Sequence, residues 1–301
     1  MAPLRFHTLD VFTRERFGGK PMVVFDDADA LASNDMAALA REFNLPAAAF
    51  VRRSRDPVNS ARIRVFSPLG EERSFSAQAV IGVAISLARS RAAEILARRE
   101  VMVVLELADE ILSCEVIRRG DGVCYAQFAP RHVARRAGEA PGVEALAEAL
   151  GLAPADIGFN AHVASVYSAF APFVFVPVAS RAALERANPA PAHFGNILSA
   201  AAGVHVYSDE TIAPDSTILA RVFGPGGVED PARGGAAAAF AALAADFERP
   251  EDGEHQIFIE QGHQIGRPSR LTLSMSIAAG ALTNVHIGGQ AVEIAHGELT
   301  F

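Results

Sequence analysis

Short runs in which apolar and polar residues alternate fill most of the chain, and at two places the alternation gives way to a nearly unbroken series of small apolar residues. The alternating runs at 4–12, 21–26 and 47–52 predict strands, and Ser33 is expected to cap a helix over NDMAALAREF between the last two. RIRVFSP at 62–68 predicts a further strand, and VMVVLEL, ILSCEVI and VCYAQF predict three more. Residues 143–150 have the period of a short amphipathic helix, and FAPFVFVPV at 170–178 reads as a strand running into a helix, RAALERA. HVYSDE, TILARVFGP, HQIFIEQG, RLTLSMSIA and LTNVHIGGQAVEIAHGELTF complete the strands. The two unbroken stretches are SFSAQAVIGVAISLARS (74–90) and GVEDPARGGAAAAFAALAADF (227–247). In each, a polar turn leads into an almost uncharged helix, the composition of a helix enclosed on all sides by a sheet or barrel.

Such a helix has one polar handle, the unpaired amides of its first turn. Two helices of this kind with their starts facing each other would form an anion-binding cleft, and that cleft is where function is expected. The order of elements is the same in each half: strands, enclosed helix, strands.

Composition narrows the class. The 301 residues suffice for two lobes with separate cores, half of them are hydrophobic and 21% are charged, as in a globular protein. A net charge of −8 with arginines scattered among acidic residues argues against nucleic acid as a partner. MAPLRFHTLDVF lacks the apolar run of a signal peptide and no stretch reads as a membrane span, so a soluble, cytoplasmic protein is expected. Cys114 and Cys124 fall in neighbouring strands and read as reduced thiols. Gly224, Gly226 and Gly227 make a glycine-rich turn without the Lys and Ser/Thr of a phosphate-binding loop. The Pro/Gly-rich stretch 129–142 is the expected crossing between lobes.

Several segments, taken in order, resemble the PhzF-like family, relatives of the phenazine-biosynthesis isomerase that share the diaminopimelate epimerase-like fold. They are residues 10–51, FSP at 66–68, the segment around 75–82, RVFGPGGVED at 221–230 and EQGHQIGRPS at 260–269. The resemblance implies an α+β fold of two pseudo-symmetric lobes, each a barrel-like, mostly antiparallel sheet around a central helix. The lobes would be residues 1–128, completed by a last strand at about 287–301, and 129–286, with the active cleft between them. It also implies a homodimer, no cofactor and no metal, with a Glu moving a proton between carbons of a cyclic substrate while a His, an Asp and a Ser position substrate and protons.

The family pattern departs at the residues that carry this chemistry. Where the family reads Asn-Leu-Ser-Glu-x-x-Phe the chain has Asn44, Leu45, Pro46, Ala47, Ala48, Ala49 and Phe50, so the catalytic Glu falls on Ala47. Phe-Ala-Gly-His-Pro falls on Phe75, Ser76, Ala77, Gln78 and Ala79, which turns the His into Gln78. Glu-Asp-x-Ala-Thr-Gly-Ser becomes Glu229, Asp230, Pro231, Ala232, Arg233, Gly234 and Gly235, so Asp230 is kept and the Ser becomes Gly235. Neither Ala nor an amide moves a proton near neutral pH, so the family isomerisation is not expected unchanged. Two-thiol racemase chemistry is also excluded, since Ala77, Gln78, Arg233 and Gly234 hold the positions that begin the helices.

The remaining candidates are Ser76, Ala77, Gln78, Arg233, Gly234 and Gly235 for a small anionic metabolite, with Asp230 as the retained acid/base. Each has a plainer alternative. A cation ahead of a helix start opposes the helix dipole, so Arg233 either pairs with Glu229 or Asp230 or grips a ligand carboxylate. Asp230 is a base or an N-cap, and Gln78 a ligand contact or a cap. Glu71 and Glu72 are a solvated turn or a replacement for the missing carboxylate. His162, His205, His255, His263, His286 and His296 lack the spacing of a metal site, and His7 and His132 lie outside the matched segments. Two functions follow: an isomerase-like enzyme of altered chemistry, or a catalytically silent metabolite-binding or dimeric partner protein.

Overall fold

The chain forms two units, Met1–Arg131 with Gly288–Phe301, and His132–Ile287, in a computed structural model that describes residues 3–131 and 133–300. His132 therefore lies outside the described residues. The first unit contains strands β1 (Leu4–Val11), β2 (Lys20–Phe25), β3 (Ala48–Arg52), β4 (Ala61–Phe66), β5 (Glu72–Arg73), β6 (Val101–Glu106), β7 (Ile111–Arg118) and β8 (Cys124–Phe128). Its helices are α1 (Ser33–Phe43), α2 (Ala77–Arg91) and α3 (Ala93–Leu96). The second unit contains β9 (Arg135–Gly138), α4 (Val143–Leu150), β10 (Ser165–Ser168), β11 (Pro172–Pro177), α5 (Arg181–Arg186), α6 (Phe194–Leu198), β12 (Val204–Ser208), β13 (Ile218–Phe223) and β14 (Glu229–Asp230). After α7 (Gly234–Glu248) come β15 (Gly253–Gln261), β16 (Ser269–Ala278) and β17 (Ala281–Leu299), whose end runs antiparallel to β1, Ala291 opposite Val11 and Leu299 opposite Leu4. Mixed, mostly antiparallel sheets with helices make this an α+β fold.

The pairing pattern repeats. In the first unit β2 runs parallel to β3, β3 antiparallel to β4, β4 antiparallel to β5 and parallel to β6. In the second, β11 runs parallel to β12, β12 antiparallel to β13, β13 antiparallel to β14 and parallel to β15. The registers align at a constant offset of 157 residues, Arg64 with Arg221, Phe66 with Phe223, Glu72 with Glu229 and the first helical residues Ala77 with Gly234. Both copies read Arg-Val-Phe-x-Pro-x-Gly-x-Glu. In both the Arg binds the Glu at 2.6 Å and lies over the Phe two residues on, at 5.2 Å for Arg64 and 4.9 Å for Arg221. A bidentate or forked guanidinium pair of this kind pins the short fifth strand to its neighbour, just before the helix begins.

Both unbroken apolar stretches form enclosed helices. From Ala77 through Leu87 every residue of α2 except Ser86 is buried, and the helix packs against β1, β2, β3, β6, β7 and β8. Gly82 lets it lie close: a Cβ there would be 2.5 Å from Met22 Sδ and 3.2 Å from Val11 Cγ2. α7 is buried from Ala236 through Ala244 and packs against β9, β10, β11 and β16. A second layer completes each unit. Phe25 and Phe50 stack at 4.7 Å under Met36 and Leu39 of α1, and Leu184, Phe194 and Ile197 of α5 and α6 pack with Val206, Leu219 and Phe223.

One local expectation, the Ser33 cap, fails for a physical reason. Ser33 is the first helical residue and not the cap of α1; Ala32 is the cap, its N–H held by the Asp35 carboxylate at 3.2 Å, while Ser33 Oγ accepts from Arg64. The stretch 129–142 contains β9, which pairs with β10. Cys114 and Cys124 are free and buried in β7 and β8.

A buried glutamate closes each unit behind its enclosed helix. Glu106 lies opposite Arg62 in the β4–β6 pairing and accepts hydrogen bonds from Arg55 N, Asp56 N and Asn59 Nδ2 at 2.9–3.0 Å. Glu260 lies opposite Leu219 in the β13–β15 pairing and accepts from Ile212 N and Ala213 N. Each thus fastens the loop that precedes β4 or β13. The donors around Glu106, Asn59 first, push its pKa down to about 2. A carboxyl depressed on folding stabilises the protein above its unfolded pKa and loses that contribution as pH falls through the folded value. Glu106→Gln should therefore lower unfolding free energy at pH 7 by about 1–3 kcal/mol, an amide offering N–H groups where backbone donors point. Urea midpoints of wild type and variant should converge as pH falls from the ordinary glutamate range towards 2; a constant gap would show the charge to be irrelevant.

Candidate active site

The start of α2 is a finished cap. Ser76 Oγ accepts from Ala79 N at 3.3 Å, the ordinary use of a serine at this position. Gln78 is buried, and its Nε2 donates to Lys20 O at 2.9 Å and Pro21 O at 2.8 Å. One nitrogen serving two carbonyls is something a neutral imidazole cannot do, so Gln78 fastens the helix to the head of β2 in a way a His would not. Ala47 is buried, and its carbonyl accepts from Val23 N at 3.0 Å, extending the β2–β3 pairing. Gln78 and Ala47 thus both bond to β2, at Lys20 and Pro21 and at Val23, and neither side chain can carry a proton. Ala77 is buried beside them. Glu72 is held by Arg64 through two bonds of 2.6 Å, which lower its pKa and leave it a poor base. Glu71 is exposed.

The start of α7 is different, because nothing caps it. Its cap residue is Arg233, and no side chain accepts from the first-turn amides. Those of Gly234, Gly235 and Ala236 precede the first intrahelical bond, Ala237 N to Arg233 O. Arg233 Nη1 donates to Asp230 Oδ2 at 3.1 Å, and its guanidinium lies 5.6 Å from the centre of the Phe173 ring. Glu229 is committed to Arg221, so of the two local acids it is Asp230 that pairs with Arg233. Asp230 also accepts from Ala232 N at 3.1 Å, which folds the turn into the helix and leaves the capping role unfilled. Both the ion pair and the open helix start are therefore present. The helix start presents amides, and the guanidinium beside them is 29% exposed in its side chain.

Gln261 belongs to this group, and sequence reasoning gave it no role. It is fully buried at the end of β15, and its Oε1 accepts from Arg233 N at 2.9 Å. Its Nε2 is buried with no hydrogen-bond partner. A buried amide donor left unsatisfied costs about 1–3 kcal/mol unless an acceptor arrives. Gly262, at φ 74°, lies against the turn: a Cβ there would be 2.9 Å from Pro231 O. The Gln-Gly pair of EQGHQIGRPS thus packs under the α7 start.

The histidines stand apart. His205 in β12 is fully buried among Phe175, Tyr207 and Phe240, with neither ring nitrogen hydrogen-bonded to another residue, and burial pushes its pKa down to about 3. His162 bonds Tyr207 Oη at 2.9 Å and is also lowered by burial. Among the described residues no group of His, Cys, Asp or Glu is arranged to hold a metal, and no helix is long and apolar enough to cross a membrane.

The sequence profile of the family described as phenazine biosynthesis-like protein, PhzC-PhzF, matches residues 9–297. The chain belongs to this family. It is 38% identical over 299 residues to an uncharacterized isomerase of Mesorhizobium japonicum, covering 96% of each, and 31% identical over 301 residues to trans-2,3-dihydro-3-hydroxyanthranilate isomerase of Pseudomonas aeruginosa, covering 97% of this chain and 98% of that one. Its fold is similar to that of a PhzF-family phenazine biosynthesis protein of Bacillus anthracis, with a TM-score of 0.88 at 24% identity over the whole of both chains. A hydroxyproline epimerase of Agrobacterium vitis shares the fold at a TM-score of 0.61 and 12% identity, over 99% of this chain and 91% of that one. The protein is therefore a member of a PhzF-like isomerase family with a proline-racemase-like α+β fold.

His205 gives the site region a testable boundary. An imidazole kept neutral by burial must gain a proton on unfolding below its ordinary pKa, so it costs stability increasingly as pH falls from about 6.5 towards 3. His205→Leu should flatten this part of the stability profile and raise the melting temperature most at pH 4, by calorimetry. A variant whose profile stays parallel to wild type would mean that His205 is not the buried neutral group described.

Proposed function

We propose that the protein binds a small carboxylated metabolite at the start of α7 and does not carry out the isomerisation of its relatives unchanged. The observation that carries this reading is the buried, unpartnered Gln261 Nε2, one amide away from the Arg233 N–H, at a helix start without a cap. A carboxylate seated there meets the first-turn amides of Gly234 and Gly235 and the Arg233 guanidinium, and its second oxygen answers the amide donor. The absence of proton chemistry at Ala47 and Gln78 supports the other half. An isomerase that shifts a proton between carbons needs a group that takes it and returns it, worth about 10²–10⁴ in rate, and neither position supplies one.

A second reading keeps catalysis, with Asp230 as the proton carrier. It is the acidic side chain paired with Arg233, at 3.1 Å. By family resemblance we also take the assembly to be a cytoplasmic homodimer, which sedimentation velocity checks.

Trans-2,3-dihydro-3-hydroxyanthranilate, named in the relative from P. aeruginosa, is the probe. Calorimetry should show wild type binding it and Arg233→Ala binding it several-fold more weakly; equal affinity removes Arg233 from the site. In deuterated buffer, proton NMR should find no label entering the bound compound. Label entering with wild type and not with Asp230→Asn would establish the second reading instead. Ala47→Glu combined with Gln78→His should gain slow isomerisation; its failure in a folded variant would mean the pocket has diverged beyond those groups.

A further inference from the structure

Five arginines of the first unit, Arg52, Arg55, Arg62, Arg64 and Arg73, line one cavity of about 320 Å³ beside β3, β4 and β5, with Glu72 as the acidic residue in its wall. In a chain of net charge −8 this concentration of cations is out of proportion. Two of its members face each other directly: Arg52 is opposite Arg62 in the antiparallel β3–β4 register, an arrangement that destabilises a sheet. Arg64 is satisfied by Glu72 and Ser33, and Arg52 by the carbonyl of Asp29 at 3.0 Å and its carboxylate at 3.8 Å. Arg62 has no such partner, and its Nε is buried without a hydrogen bond, as is that of Arg52. Burial and the neighbouring Arg52 and Arg55 lower the pKa of Arg62, the direction expected of a cation short of counter-charge. Counting Asp29, Glu72 and Glu106 against the five guanidiniums still leaves two cations in excess.

The fold does not require these arginines. At the matching registers of the second unit, Arg52 becomes Ser208, Arg62 becomes Leu219 and Arg73 becomes Asp230, while Arg64 alone persists as Arg221. The shared position is the one that holds the fifth strand; the others were free to be Ser, Leu and Asp in the same architecture. Their presence on one copy calls for a ligand. We infer that this cavity is a second anion site, for a phosphoryl dianion carried by a small molecule or free in solution. Guanidinium forks match phosphate oxygens, a phosphate ester carries a charge of about −1.5 to −2 at neutral pH, near the excess of two, and the volume admits a ring beside the phosphate. None of Ser76, Ala77, Gln78 or the α7 residues lines the cavity, so this site stands or falls apart from the carboxylate site at α7.

The test is calorimetric titration of the full chain at constant ionic strength with inorganic phosphate, phenyl phosphate and benzoate. Both phosphates should give saturable heats and benzoate should bind at least tenfold more weakly; phenyl phosphate tighter than phosphate assigns a phosphorylated metabolite, and equal affinities assign the free ion. Arg62→Leu, the residue of the second unit, should weaken phosphate at least tenfold with an unchanged or higher melting temperature, and Arg73→Ala at the exposed edge should weaken it several-fold should Arg62→Leu not fold. Absence of saturable heat, phosphate affinity untouched by both variants, or benzoate binding as tightly as phenyl phosphate would overturn the site. So would loss of self-association in Arg62→Leu without any phosphate binding by wild type, which would assign the cluster to acidic groups of a second copy.

Discussion

An uncharged helix enclosed by strands leaves its first-turn amides as its main polar outlet, and the candidate site is arranged around how that outlet is closed. Along the buried flanks of α2 and α7 nearly all side chains are Ala, Val, Ile, Leu and Phe, which can only pack. Their backbone groups are satisfied internally except at the ends. At α2 the outlet is shut by the protein itself, with Ser76 as cap and Gln78 tied to β2. At α7 no side chain closes it, and a buried donor beside it also lacks an acceptor. The difference between the two starts is a difference in what the protein leaves for something else to satisfy.

The repeat separates what the architecture needs from what one copy has acquired. Positions alike in both copies are those that set geometry: the Arg–Glu fork, the Phe beneath the guanidinium, the Pro-containing turn, and a buried glutamate holding the loop before β4 or β13. Glu106 and Glu260 show that this extends to positions where burying a charge is costly. Such a residue is tolerable when backbone donors surround it, and the loops supply them.

Much of this was legible in the residues, for identifiable reasons. The two enclosed helices announced themselves because their burial is nearly continuous, and strands such as β7 because theirs alternates, exposed and buried in turn through Ile111–Cys114. β5, β14, α3 and α6 did not, since two to five residues are too short to show a period and are held by partners far away in sequence. Ser33 misled because a serine and an acid two residues on suit more than one cap, and Arg64, 31 residues away, claims its hydroxyl. At the candidate site, that Ala47, Gln78 and Gly235 carry no titratable group is plain from the residues themselves. The role of Gln261 is not, because its side chain acts on the backbone of Arg233, 28 residues away, and nothing local marks such a bond.

The same reasoning gives Gln78 a structural role: most replacements would leave Lys20 O and Pro21 O without the two donors they now receive. An amide nitrogen serves both carbonyls and keeps the helix start against β2 with no titratable group in between. Ala47, bonded through its carbonyl to Val23 of the same strand, likewise adds bulk and no charge, so neither position holds a titratable group.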